Sequence, residues 1–335
     1  MRLPAVETLT TAALRRIPTW RPPLPQAVID RALLRERGGV HPWHPDPART
    51  APSYSVRSIQ RTREAMERTQ RIMDPAPRDL KRDQIQLPNC TAERLRVPES
   101  RAGRVILYFH GGAFLRGSTD THIGAIARFM RASRCEAVSV DYRMAPEHQH
   151  PAWVDDAVDA YRHLTGELGI TPDHIAVGGD SAGGSLALAL LQRLHTEGLP
   201  QPAAAFVVSP WADLTCSGPS HTENSESEVM FGPGVIPHCA QWLADQAGVA
   251  TDDPLFSPAF GTYTADMPPL RIDVSTIEQL RSDAHRVEDA YRAGGATATL
   301  HEHPTAPHAW TAIGTLSAAR QTAKDIGRFI DDHLS

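Results

Sequence analysis

Apolar and polar positions divide the chain into two parts with different patterns. Up to about residue 85, proline-rich stretches such as "RIPTWRPPLPQ" and "HPWHPDPARTAPS" alternate with two segments of helical spacing, "AVIDRALLRERGG" and "SVRSIQRTREAMERTQRIM". Because proline interrupts regular structure, this part predicts short helices joined by turns.

From about residue 94, short apolar runs alternate with amphipathic segments of helical period. The runs in "GRVILYF", "CEAVSVD", "HIAVGGD", "AAAFVVS", "LRIDVST" and "ATLHEHP" predict six strands. Helical patterns lie between most of them, so the sequence predicts a mostly parallel sheet with helices on both faces. Residues 215–250 are polar, then helical, and interrupt the alternation, so we interpret them as an insertion.

The composition fits a large α/β domain. A chain of 335 residues, 41% of them hydrophobic, can bury a large core. The net charge is -5 and the basic residues are spread out, which argues against nucleic acid as a partner. Four cysteines stand far apart with no C-x-x-C spacing, so we predict free thiols and no zinc or redox motif.

The N-terminal sequence lacks the continuous apolar core of a secretory signal. No apolar run approaches the roughly 20 residues of a membrane span. We therefore expect a cytoplasmic protein without a membrane span.

One serine lies between small residues where a predicted strand meets a predicted helix. Gly179, Asp180, Ser181, Ala182 and Gly183 fit the pattern G-x-S-x-G, in which a sharp turn exposes a nucleophilic hydroxyl. A phosphate-binding loop is a poorer fit, because no lysine follows the glycines. Close packing of helix on sheet would explain the glycines but not the serine. The pattern therefore favours Ser181 as a nucleophile.

A serine hydroxyl needs a base, and this arrangement orders its residues as serine, acid, histidine along the chain. His308 lies between the last predicted strand and the last predicted helix, where that order places the base. Glu278 follows the preceding strand in a loop at the carboxyl end of the sheet, where active sites of such folds gather. Asp273 is predicted inside the strand and Asp283 inside the next helix, so Glu278 is the preferred acid.

A pair of glycines after the first long apolar run is suited to bind an oxyanion. Gly111 and Gly112 end that run, and glycines let backbone N–H groups approach a developing negative charge. A simple glycine turn is the alternative, but the order of all these features along the chain favours chemistry. The N–H of Ala182 is the third expected donor.

These motifs together resemble the hormone-sensitive-lipase-like carboxylesterases of the α/β-hydrolase superfamily, from about residue 104 to the C-terminus. The resemblance rests on "HGGAF", "VDYRMAPEHQHPAWVDDA", "GDSAGGSLA", "SPWADLT" with "DDPLFSP", "STIEQLRSD" and "HPTAPHAW". Three positions depart from the commoner pattern, namely Ala113 and Ser275 in place of glycine and Glu278 in place of aspartate. The resemblance implies the following roles: Ser181 as nucleophile, His308 as base, Glu278 as acid, and Gly111, Gly112 and Ala182 as oxyanion donors.

The resemblance also implies a domain plan and an activity. The plan has an N-terminal helical cap segment at 1–85, an α/β-hydrolase catalytic domain at 86–335, and a second cap segment inserted at about 215–250. The implied activity is hydrolysis of small-molecule esters with short to medium acyl chains, without metal or organic cofactor. An exposed edge strand also allows a homodimer. A non-hydrolytic binding protein on the same scaffold, or a peptidase or acyltransferase with the same triad, remain open as alternatives.

Overall fold

The computed structural model describes residues 54–232 and 234–335. The helix predicted at "AVIDRALLRERGG" lies outside these residues. The helix predicted at "SVRSIQRTREAMERTQRIM" is confirmed as α1, which begins after the side-chain cap of Ser55.

In the described part of the chain, eight strands form one sheet in the order β1-β2-β4-β3-β5-β6-β7-β8. Strands β3 to β8 pair with one another in parallel. At one edge, β2 pairs antiparallel with β4, and β1 pairs antiparallel with β2. The strands are β1 (Lys81–Gln86), β2 (Thr91–Arg96), β3 (Val105–Phe109), β4 (Glu136–Asp141), β5 (Ile175–Asp180), β6 (Ala204–Val208), β7 (Leu270–Ser275) and β8 (Ala298–His303).

Helices cover both faces of the sheet, and shorter helical turns lie between them. The α-helices are α1 (Val56–Met73), α2 (Thr119–Ser133), α3 (Ala152–Arg162), α4 (Ala182–Thr196), α5 (Ser220–Glu223), α6 (Val235–Ala247), α7 (Arg281–Ala293) and α8 (Ser317–His333). The apolar faces of α3, α4 and α7 join one core cluster, and those of α2 and α8 join the other. The predicted α/β-hydrolase fold with a mostly parallel sheet is confirmed.

The central strands are apolar runs because both of their faces are buried. In β3, Leu107 and Phe109 belong to one core cluster, while Ile106 and Tyr108 belong to the cluster on the opposite face. Successive side chains of a strand point to opposite faces, so a strand covered by helices on both sides is apolar at most of its positions. All six predicted strands are confirmed as β3 to β8.

The sequence did not predict the hairpin of β1 and β2. Five of the six residues of β1 are exposed, and only Ala92 and Leu95 of β2 are fully buried. An edge strand with so little buried surface carries no apolar alternation to detect. The sheet therefore begins at Lys81, so β1 runs across the domain boundary predicted at residue 85.

The interruption predicted at 215–250 lies between β6 and β7 and contains α5 and α6. Its first part runs beside the loop that follows β7, which brings it to the carboxyl edge of the parallel strands.

Candidate active site

Ser181 forms the turn between β5 and α4. Its backbone has φ 53° and ψ -124°, a region that side chains other than glycine rarely adopt. The turn is held by neighbouring backbone, since the Ser181 N–H donates to Val208 O (2.9 Å) and Ser181 O accepts from Trp211 N (3.1 Å). The strain is therefore supported by the adjacent strand β6 and the loop that follows it.

The glycines on either side of Ser181 are required by close backbone contacts. A Cβ atom on Gly179 would lie 2.4 Å from Gly183 O, and a Cβ on Gly183 would lie 2.1 Å from Phe109 O. Any side chain at these positions would push β5, β3 and α4 apart. This local crowding explains the small residues that the sequence places around the serine.

His308 reaches Ser181 from the loop between β8 and α8. The Ser181 Oγ–H donates to His308 Nε2 at 2.9 Å, across 127 residues of sequence. Both side chains are buried, with 7% of Ser181 and 4% of His308 exposed. A neutral imidazole in this tautomer is placed to accept the proton of the hydroxyl.

Glu278 is the carboxylate that meets His308. The Nδ1–H of His308 donates to Glu278 Oε2 at 2.6 Å. The other oxygen, Oε1, accepts from the Ser275 N–H at 2.7 Å and from Ser209 Oγ at 2.9 Å. The carboxylate is fully buried and all its partners are fixed, so it holds the orientation of the imidazole.

The other nearby carboxylates have different partners. Asp273 lies in β7 and accepts from Arg271 Nε and His303 Nε2, both at 2.7 Å. Asp283 lies in α7 and accepts from His221 Nε2 at 2.8 Å. Their predicted places in a strand and a helix are confirmed, and neither is hydrogen-bonded to His308.

The surroundings of His308 favour its protonated form. Burial by itself lowers the pKa of His308, but the hydrogen bond and negative charge of Glu278 outweigh it, with smaller contributions from Glu228 and Asp180. The pKa therefore lies above its ordinary value of 6.5. An imidazolium formed by proton transfer from Ser181 is thus stabilised where it arises.

One N–H group of the glycine loop after β3 already has an acceptor. The Gly111 N–H donates to Asp180 Oδ1 at 3.1 Å, and its role as an oxyanion donor stays a prediction. The N–H groups of Gly112 and Ala113 have no acceptor among the residues that the structure describes. Gly112 has φ 128°, and a Cβ there would lie 2.0 Å from Arg116 O, so this position must be glycine.

Asp180 holds the glycine loop through a hydrogen bond to its backbone. Besides the Gly111 N–H, it accepts from Tyr108 OH at 2.6 Å and from His122 Nε2 at 3.3 Å. Burial raises the pKa of Asp180, but the charge and hydrogen bond of His122 outweigh it and hold the pKa below its ordinary value. Burial lowers the pKa of His122, but Asp180 outweighs it and raises this pKa above the ordinary value, so the two groups favour each other's ionised form.

The chain is similar to known proteins over most of its length. A family described by its alpha/beta hydrolase fold matches residues 106–312. An acetyl-hydrolase of Streptomyces hygroscopicus is 40% identical over 228 residues, which cover 68% of this chain and 75% of that protein. The carboxylesterase/phospholipase LipF of Mycobacterium tuberculosis is 34% identical over 260 residues, covering 75% of this chain and 69% of that protein. The crystal structure of an esterase from the bacterial hormone-sensitive lipase family has a TM-score of 0.83 and 31% identity, covering 93% of this chain and 99% of that one.

The chain belongs to the hormone-sensitive-lipase-like carboxylesterases. Both the family resemblance and the enzyme class, carboxylic ester hydrolase, are thereby confirmed. Within the described part of this esterase, no helix has the length and hydropathy needed to cross a bilayer. The same residues contain no group of three or more histidine, cysteine or acidic side chains placed to hold a metal ion.

Sequence reasoning missed several residues around the site. Phe231 contacts the ring of His308, whereas the aromatic side chains of Phe114 and Trp211 are buried in the core. The support of Asp180 by His122 carries no local signal, because a histidine in a helix is common and its partner lies 58 residues away.

Proposed function

We propose that this carboxylesterase hydrolyses esters with short to medium acyl chains through an acyl-enzyme formed on Ser181. The observation that carries the proposal is the buried hydrogen-bond chain from Ser181 Oγ through His308 to Glu278, with distances of 2.9 and 2.6 Å. A nucleophile, a base and a carboxylate that orients the base are the three parts such a reaction needs.

In the first step, Ser181 Oγ forms a bond to the ester carbonyl carbon while His308 Nε2 takes the hydroxyl proton. The carbonyl oxygen becomes an oxyanion. The N–H groups of Gly112 and Ala182 are the proposed donors, and the third is the N–H of Gly111 or, since that group is already engaged, the N–H of Ala113. Ala182 opens α4, where backbone N–H groups have no partner within the helix, so they are free to stabilise negative charge.

The tetrahedral intermediate then collapses. The bond from carbon to the alcohol oxygen breaks, and His308 returns its proton to that oxygen, so a neutral alcohol leaves. Water next attacks the acyl-enzyme, giving its proton to His308, and Ser181 departs with that proton as the carboxylic acid is released. Glu278 accepts the hydrogen bond from His308 Nδ1 throughout and stabilises the imidazolium.

The domain plan and the acyl-chain preference belong to the same proposal. Residues 1–80 and 215–250 would form the cap over the carboxyl edge of the sheet, because β1 extends the catalytic domain to Lys81 and takes residues 81–85 from the cap segment predicted at 1–85. The position of the second segment beside the loop of Glu278 supports this plan. The name of the acetyl-hydrolase relative supports a preference for short acyl groups.

Hydrolysis of p-nitrophenyl acetate, butyrate, octanoate and palmitate tests the proposal. We expect turnover of the shorter esters, and a loss of at least about 1000-fold in kcat for Ser181→Ala. Ser317→Ala, an exposed serine at the start of α8, is the matched control and should retain wild-type rates. A folded wild-type enzyme that is inert on all four esters would instead support a binding protein. Preferential turnover of palmitate would contradict the acyl-chain preference.

A further inference from the structure

Phe231 of the inserted segment lies against the imidazole of His308. The two ring centroids are 4.8 Å apart and the planes are inclined by 58°. Phe231 is only partly buried, so some surface of this residue remains accessible. The proposed reaction gives this ring no role.

The segment before Phe231 is bound tightly to the loop of Glu278. Four consecutive carbonyl groups of that loop accept hydrogen bonds from three side chains of the segment. The bonds run from Asn224 Nδ2 to Thr276 O (3.0 Å), from Ser227 Oγ to Ile277 O (2.9 Å), from Asn224 Nδ2 to Glu278 O (2.8 Å) and from Ser220 Oγ to Gln279 O (2.6 Å).

Glu228 continues this attachment to the residues next to Phe231. Glu228 is 1% exposed, and the two oxygens of its carboxylate accept from the Gln279 N–H at 3.2 Å and the Met230 N–H at 2.7 Å. One oxygen therefore binds the loop of Glu278, while the other holds the backbone one residue before Phe231. The ring is held in place before any substrate arrives, which is the condition for a contact that selects substrates.

The proton path defines which part of the ester meets this ring. If the triad acts as proposed, His308 Nε2 must approach the oxygen of the leaving alcohol to return its proton. A ring in contact with the same imidazole then borders the substituent on that oxygen. The acyl chain is attached to the opposite side of the scissile bond.

We propose that Phe231 is a specificity-determining residue for the alcohol portion of the ester and favours apolar, aromatic or extended alkyl alcohols. The inference rests on the proposed function, because it uses the role of His308 as the acid that protonates the alcohol. An aromatic ring offers apolar surface and an edge or face for a second ring. The polar attachment through Asn224 and Glu228 fixes that surface beside the reacting oxygen.

Two ester series separate the alcohol side from the acyl side. The first holds the acyl group constant in methyl, butyl and benzyl acetate, and the second holds the alcohol constant in methyl acetate and methyl butyrate. Acid release in a pH-stat gives kcat/KM for the wild type, Phe231→Ala, Phe231→Leu and Ser181→Ala. Phe260→Ala is the matched control, because Phe260 is 42% exposed and its ring lies by Arg286.

For Phe231→Ala we expect the benzyl to methyl acetate ratio of kcat/KM to fall about five- to tenfold. The methyl butyrate to methyl acetate ratio should change by less than about twofold. Phe231→Leu should retain much of the preference for butyl acetate but lose that for benzyl acetate. Phe260→Ala should leave all ratios unchanged.

The outcomes distinguish failure of this inference from failure of the proposed function. In one outcome, the wild type shows hydrolysis that depends on Ser181 while the benzyl to methyl acetate ratio of kcat/KM keeps its wild-type value in both Phe231 variants. That result overturns only the role of Phe231. The role of Phe231 is also overturned if its variants shift the methyl butyrate to methyl acetate ratio, or if they lose activity equally on every ester. Absence of hydrolysis that depends on Ser181 overturns both. If Phe231→Ala does not fold, the loss of benzyl preference in Phe231→Leu still decides the question.

Discussion

Replacing Glu278 by glutamine keeps the shape of the side chain but changes one acceptor into a donor. In one orientation, the amide NH₂ faces His308 Nδ1, which must then accept, so Nε2 carries the proton and cannot take one from Ser181. In the other orientation, the amide oxygen faces His308 and the NH₂ meets the Ser275 N–H, a donor 2.7 Å from the present carboxylate. The first orientation pairs every group but holds the wrong tautomer, and the second restores the tautomer but leaves a buried donor unpaired.

The cost of Glu278→Gln follows from these contacts. Leaving a buried donor unpaired beside Ser275 costs about 1–3 kcal/mol. Replacing the charged partner of the developing imidazolium by a neutral amide removes a charge-assisted bond of about 1.5–3 kcal/mol. Because only the orientation with the unpaired donor is productive, both costs add to the barrier, about 2.5–6 kcal/mol in total, so we expect kcat/KM to fall by roughly 10²- to 10⁴-fold at about 1.4 kcal/mol per tenfold.

The pH profile of p-nitrophenyl butyrate hydrolysis provides the assay. The neutral form of His308 acts as base, and its raised pKa places the acidic limb of kcat/KM above the ordinary value of 6.5. Glutamine removes the charge that raises this pKa, so the acidic limb should move to lower pH in Glu278→Gln. Glu302→Gln is the matched control, because this carboxylate pairs with Arg281 and His285 on the surface. A variant that keeps more than about a tenth of the activity with an unmoved limb would refute the reasoning.

Two further predictions concern the turn at the nucleophile and the attachment of the inserted segment. Gly183→Ala should lower the free energy of unfolding in urea by about 3 kcal/mol or more, because its Cβ would lie 2.1 Å from Phe109 O. Gly184→Ala, whose Cβ would have its nearest contact at 3.3 Å, should be tolerated. Equal stabilities of the two variants would contradict the crowding argument. Asn224→Ala should lower kcat about tenfold with little change in KM, because the loop of Glu278 loses two hydrogen bonds, and an unchanged kcat would show that this loop is held without them.

The sequence predicted most reliably the parts of the fold whose burial is complete. Strands β3 to β7 are almost completely buried and mostly apolar because helices cover both faces, and that pattern is visible without the structure. The hairpin of β1 and β2 escaped prediction because an exposed edge strand such as "KRDQIQ" has no apolar face to reveal its period. Its place in the sheet depends on hydrogen bonds of β2 to the distant strand β4.

The sequence by itself determined the turn at Ser181, because the close backbone contacts of a sharp strand-to-helix turn leave room only for small residues around the serine. It also placed His308 and Glu278 in loops at the same edge of the sheet. Only the tertiary structure decided which donor meets which acceptor there. The Gly111 N–H is engaged by Asp180, 69 residues away, and Phe231 of the inserted segment contacts His308. Such pairings depend on how loops from separate strands converge, and no short stretch of sequence contains both partners.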